Sequence, residues 1–233
     1  MKIVKLKQKL DIENIDKKVG SSYTSKYRRR HGPLLPLSIR GLLIGPSNCG
    51  KTNVMITLLT HPLGLCFENV YIYSKSLYQP KYEYLQKVFT PIKGLGYYTF
   101  SDANSILEPS DAKPNSIFIF DDVMCEKQDV IRSYFSMGRH NYVDSFYLAQ
   151  TYSRVPKQLV RDNANLIIMF KQDEMNLRHI YSDHVSPDVT FNQFQEMCAK
   201  CWNDKYGFLV IDKDSDLNSG RYRVGFDSYI LIE

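Results

Sequence analysis

Gly45-Pro46-Ser47-Asn48-Cys49-Gly50-Lys51-Thr52 is the stretch that decides how this chain is read. It meets the pattern G-x-x-x-x-G-K-[ST] at every fixed position. An apolar run, Gly41-Leu42-Leu43-Ile44, leads into it, and a helix-compatible run, Asn53-Val54-Met55-Ile56-Thr57-Leu58-Leu59, leads out. A chance glycine-rich turn would lack both flanks. In a strand–loop–helix of this kind, glycines let successive backbone N–H groups turn inward around phosphate oxygens. The helix start adds a positive end. Residues Gly45 to Asn53 are therefore expected to cradle phosphates, with Lys51 reaching the β and γ groups and the Thr52 hydroxyl facing Mg²⁺. Cys49 reads as a small loop residue.

Some seventy residues on, Ser116-Ile117-Phe118-Ile119-Phe120-Asp121-Asp122 has the form of a buried parallel strand ending in two acids. Ligands bind at the carboxyl ends of such strands. Asp121 is expected to support Mg²⁺, and Asp122 to act as general base on the attacking water. Adjacent strand residues point to opposite faces, so the two acids need not share a role. A strand running into an acidic turn is the plainer alternative for this run alone. A third apolar strand, Ser145–Ala149, ends in Gln150, which can orient the water or sense the γ-phosphate.

Short apolar runs alternate with amphipathic ones beyond Ser38. Strands are expected over 38–44, 70–74, 97–100, 116–121, 145–150, 166–170, 208–212 and 223–232. Helices are expected over 51–59, 81–89, 128–137, 157–162, 174–182 and 191–203. This alternation predicts an α/β fold with a mostly parallel central sheet flanked by helices, and the order of loop, extra strand, acidic strand and polar-tipped strand resembles the RecA-like branch of P-loop NTPases. No Leu-Ser-Gly-Gly-Gln signature and no guanine-specific Asn/Thr-Lys-x-Asp motif occurs, so the expected ligand is ATP with Mg²⁺.

Residues 1–37 read as a basic N-terminal arm and 38–233 as the ATPase domain. Residues 1–40 hold eleven Lys or Arg and three acids, a charge of +8 against +5 for the whole chain, which leaves 5 − 8 = −3 for the remainder. Such an arm suits a phosphate polymer, while a solvated tail is the plain alternative. Five scattered cysteines, an odd number, point to a reducing compartment rather than a disulfide framework. No apolar stretch approaches the roughly 20 residues of a membrane span.

The order of further motifs narrows the class. Met137-Gly138-Arg139-His140-Asn141, Phe146–Gln150, Tyr152-Ser153-Arg154-Val155-Pro156 and Leu159-Val160-Arg161-Asp162-Asn163 resemble the poxvirus-type genome-packaging ATPases of the FtsK–HerA superfamily. These occur in large DNA viruses, virophages and Polinton-like elements. The resemblance spans Gly45 to Asn163, about half the chain, and Tyr206–Asp212 resembles the family's late strand. It implies a homo-oligomeric ring, expected to be a hexamer, that pumps double-stranded DNA into a preformed capsid. The implied partners are that DNA, further copies of the chain, and capsid or portal-region proteins. The implied location is the host cell interior at the site of virion assembly. A neighbour's arginine is expected to stabilise the transferring phosphate, with Arg139 and Arg161 as candidates and Arg154 third. Another DNA-translocating ATPase, either a helicase or a conjugation-type pump, and a slowly hydrolysing assembly protein are the alternatives.

Weaker signals remain. Cys198 and Cys201, with His179 and His184, have a zinc-like spacing in unusual order, though one helix face explains the cysteines. Tyr71, Tyr73, Tyr78, Tyr82 and Tyr84 suit either a nucleic-acid surface or the core. Residues 212–220 read as a hairpin turn rather than a calcium loop.

Overall fold

The computed structural model describes residues 31–123 and 128–232. The strands are β1 (Arg40–Ile44), β2 (Asn69–Ser74), β3 (Gly96–Phe100), β4 (Ser116–Asp121), β5 (Val143–Ala149), β6 (Leu166–Met169), β7 (Leu209–Asp212), β8 (Tyr222–Val224) and β9 (Ser228–Tyr229). The helices are α1 (Lys51–Thr60), α2 (Pro80–Phe89), α3 (Asp129–Met137), α4 (Glu174–Ile180) and α5 (Phe191–Cys201). One sheet joins the strands in the order β3-β2-β4-β5-β1-β6-β7-β8-β9. The six from β3 to β6 in that order run parallel. The last three add antiparallel.

Strand alternation explains why the inner strands are apolar throughout: both faces of the sheet are covered. Leu42 and Ile44 of β1, Phe118 and Phe120 of β4, and Tyr147 and Ala149 of β5 face one side. There they meet Ile131, Tyr134 and Phe135 of α3, Leu177 and Ile180 of α4, and Phe194 and Met197 of α5. Leu43, Ile117, Ile119, Phe146 and Leu148 face the other side, against Met55, Leu58 and Leu59 of α1 and Tyr82, Leu85 and Phe89 of α2. Each such large apolar side chain stabilises the fold by about 1.5–3 kcal/mol through burial. On the first face, Phe118 stacks on Tyr71 at 5.4 Å and on Phe120 at 4.5 Å. Of the five clustered tyrosines, Tyr71, Tyr73 and Tyr82 are buried, whereas Tyr78 and Tyr84 are exposed. The first three therefore belong to the core.

Two expected elements differ in kind, and others only at their ends. Residues 157–162 form a wide turn rather than a helix, with Gln158 extended and Leu159 at φ 67. The expected strand over 223–232 is broken into β8 and β9, because Gly225 turns the chain at φ 63. The helix expected over 191–203 stops at Cys201, within the ordinary spread of helix ends. Residues 212–220 do form the connection between antiparallel β7 and β8. It is tied by Arg223, whose Nη2 donates to Asp212 Oδ2 at 2.7 Å.

The expected arm lies mostly at residues 1–30, outside the described residues. Its final part is fastened to the body. The Cys66 backbone N–H donates to His31 Nδ1 at 3.0 Å, which leaves Nε2 to donate to Asp144 Oδ2 at 2.9 Å. Asp144 Oδ1 accepts from the Ile39 backbone N–H at 2.7 Å. Gly32 N–H donates to the Gly64 carbonyl at 2.9 Å. Packed chain thus begins by His31, seven residues ahead of Ser38.

Candidate nucleotide site

The phosphate loop leaves β1 between its two neighbours. Gly45 N–H donates to the Ala149 carbonyl of β5 at 3.0 Å, and Phe170 N–H donates to the Ile44 carbonyl at 2.8 Å. The loop base is therefore stitched on both sides. A Cβ on Gly45 would lie 2.6 Å from Cys49 Sγ and 2.7 Å from Phe170 Cβ, so only glycine fits there. Gly50 holds φ 116, left-handed backbone from which α1 starts directly with Lys51. The Lys51 ammonium lies across the loop, donating to the Gly45 carbonyl at 2.6 Å and the Pro46 carbonyl at 2.9 Å.

Sheet register delivers the other groups to the same edge. Asp121 ends β4, level with Ser74 of β2 and Leu148 of β5. Asp122 follows at φ 57, a left-handed turn that takes the chain out of the strand. Gln150 follows Ala149, which is level with Ile44. One cleft is lined by Ser47, Asn48, Gly50, Lys51, Thr52, Asp121, Asp122 and Gln150. Its volume is about 180 Å³, and it opens to solvent on one side. Pro46 lines the adjoining hollow instead, with Gln150. Asn53 sits exposed in the first turn of α1.

Burial tunes the charged groups. It lowers the Lys51 ammonium below the usual lysine range, against the opposing pull of Cys49, Asp121 and Asp122. It raises the Asp121 carboxyl above the usual range, although a hydrogen bond from Tyr82 and the Lys51 charge oppose the rise. It also raises the Cys49 thiol, so this loop cysteine is not an activated thiolate. Asp121 and the Thr52 hydroxyl, which line one cleft, are hard oxygen donors of the kind magnesium takes. A cation there would offset the cost of burying Asp121.

Sequence reading missed one wall of the cleft. Ser76 and Gln79 line it from the turn before α2 and Lys81 from its first turn, and the hydroxyl of buried Tyr82 donates to Asp121 Oδ2. No motif marks them: Ser76 and Gln79 lie in the turn before α2, and Lys81 and Tyr82 in an ordinary amphipathic helix.

The candidate arginines are not in the cleft. Arg139 is exposed in the turn before β5, at the sheet edge opposite the loop. Arg161 is spoken for: its Nη1 meets Asp183 Oδ2 at 3.0 Å, its guanidinium covers the Tyr152 ring at 4.9 Å, and it is 11% exposed. Arg154 is exposed just after Gln150, on the loop's edge of the sheet. The zinc spacing is not realised. Cys198 and Cys201 are buried in α5 with thiols raised by burial, that of Cys201 to about 11. His184 Nε2 lies 2.8 Å from the Tyr152 hydroxyl, and His179 is exposed. Among the described residues no group of three potential ligands could hold a metal.

Solved structures share this architecture. The genome-packaging NTPase B204 of Sulfolobus turreted icosahedral virus 2, in complex with AMP, aligns with TM-score 0.57 and 16% identity over 84% of this chain and 100% of its own. Its complex with ATP-gammaS aligns with TM-score 0.53 and 17% identity over 82% and 97%. The DNA-packaging ATPase B204 of Sulfolobus turreted icosahedral virus aligns with TM-score 0.52 and 15% identity over 79% and 95%. This chain shares the fold of viral genome-packaging NTPases. It is an α/β P-loop NTPase fold with a mostly parallel central sheet. No family model matches the chain, and no curated protein matches it in sequence. Among the described residues, no helix is long and apolar enough to cross a membrane.

Proposed function

We propose that the protein is an ATPase that drives double-stranded DNA into a viral capsid. The observation that carries this reading is the convergence of the loop, Asp121, Asp122 and Gln150 on one cleft. The shared fold with packaging NTPases supports the packaging role. Loop N–H groups and Lys51 bind the phosphates. Thr52 and Asp121 would hold Mg²⁺, which supplies charge neutralisation on the phosphate oxygens. Asp122 accepts the proton of the attacking water, and Gln150 orients that water.

On this reading the working form is a ring, in which an arginine of one copy stabilises the phosphate held by the next. Arg139, exposed and at the far edge of the sheet from its own loop, suits action across a boundary. Arg161 does not, being held by Asp183. DNA contacts are mainly to phosphate, hence sequence-indifferent and salt-sensitive.

The test is steady-state ATP hydrolysis with and without long double-stranded DNA, for the wild type, Lys51→Ala and Asp122→Asn. Turnover that rises with DNA and vanishes in both variants is expected. Tight ATP binding without hydrolysis, indifferent to DNA, would overturn the motor in favour of an assembly protein.

A further inference from the structure

We propose that Lys81 is a second phosphate-binding cation of the cleft, contacting the terminal phosphate of a bound nucleoside triphosphate, and that its neighbour Tyr82 ties this contact to Asp121. The inference rests on the nucleotide reading above and deepens it, naming the residue that tells triphosphate from diphosphate.

Sheet order gives the direction. The loop follows β1 and the start of α2 follows β2, with β5 and β4 between them. Three strand spacings of about 4.8 Å separate β1 from β2, roughly 14 Å. A triphosphate held by the loop and extending toward Asp121 and Asp122 therefore points its far end at α2. Lys81 stands there, the second residue of the helix, lining the same cleft as Lys51 and the two acids. It is exposed, and among the described residues it has no hydrogen-bond or ion-pair partner. Its charge is felt by both Lys51 and Cys49, which places it within electrostatic reach of the loop. A fully ionised triphosphate carries more negative charge than one lysine balances, and a second cation at its far end meets the remainder.

Tyr82 links the contact to the acids. Successive helix residues point about 100° apart, so Lys81 faces the cleft while Tyr82 turns into the core. Tyr82 is 4% exposed, and its hydroxyl donates to Asp121 Oδ2. The first turn of α2 thus touches the cleft and the acid strand through adjacent residues. Movement of the turn toward a terminal phosphate shifts the hydroxyl that holds Asp121, and its loss after hydrolysis reverses the shift.

The experiment is calorimetric titration of the full chain with ATPγS and separately with ADP, for the wild type, Lys81→Ala, Lys81→Arg, Tyr82→Phe and Lys51→Ala, with steady-state ATP hydrolysis measured for the wild type and Tyr82→Phe. Lys81→Ala is expected to weaken ATPγS roughly 10- to 100-fold, the worth of a hydrogen bond to a charged group, while ADP binds as before. Lys81→Arg restores most of the loss. Tyr82→Phe, which removes one hydroxyl, is expected to lower kcat for ATP and leave both affinities nearly unchanged. Equal weakening of both nucleotides by Lys81→Ala, or none, overturns the role of Lys81. A wild-type kcat in Tyr82→Phe overturns the link. Nucleotide binding that survives Lys51→Ala would instead sink the loop reading itself, and this inference with it.

Discussion

Asp121 is a carboxylate asked to stay ionised where burial opposes ionisation. An acid raised in the folded state contributes stability below its ordinary range, and that contribution is lost as pH rises through the folded value. At neutral pH the charge therefore destabilises the molecule. Asp121→Asn keeps an oxygen for the Tyr82 hydroxyl and removes the charge. It is expected to raise Tm at pH 7 by about 2–4 °C, the response of a domain this size to 1 kcal/mol, while ATP turnover is lost. A scanning-calorimetry midpoint that falls would show that Asp121 is not a stability cost. Asp122 is exposed beyond the strand. Asp122→Asn is expected to leave Tm and ATPγS affinity unchanged and lower kcat by about 10²–10⁴, the usual worth of a general base. Single-turnover quench-flow decides it.

Elements vary in how plainly they were written. Strands β1, β4, β5 and β6 are legible because both sheet faces are covered, which demands unbroken apolar runs, and because the site demands polar residues at the ends of two of them, β4 and β5. Asp121, Asp122 and Gln150 were legible for that reason, and Lys51 from the glycine-loop motif. Lys81 and Tyr82 were not: on a helix, a lysine facing a cleft and a lysine facing bulk water look alike. Only the strand order, a long-range property, turns the start of α2 toward Asp121. The break at Gly225 also escaped notice, since flanking β-formers mask a single glycine. The start of α5 is set by a reciprocal cap. The Thr190 hydroxyl accepts from the Gln193 N–H at 3.4 Å, and Gln193 Oε1 accepts from the Thr190 N–H at 2.9 Å. Thr190→Ala is expected to cost about 0.5–2 kcal/mol, read as a lower urea midpoint at unchanged slope. No change would mean that Phe194 and Met197, packed in the core, hold the helix unaided.

At the scale of the whole molecule, an arginine at one sheet edge and a phosphate loop at the other call for mixing of variants. Lys51→Ala and Arg139→Ala are each expected to be inactive. Mixed, they should regain part of the DNA-stimulated turnover, because some boundaries then pair an intact loop with an intact arginine. Mixtures that stay inactive would remove Arg139 from the boundary and leave exposed Arg154 as the one to substitute next.

The register of β1 has a consequence for synthesis. Arg40 is level with Ser145, and Ile44 with Met169, separations of 105 and 125 residues. At roughly 5–20 residues per second, a ribosome that has made the loop works for roughly 6–25 s before the second flanking strand exists. Until β5 is made, Gly41-Leu42-Leu43-Ile44 has neither of its native partner strands in the nascent chain. The loop and its flanking strands therefore come together only late in synthesis, once β5 and β6 stand on either side of β1.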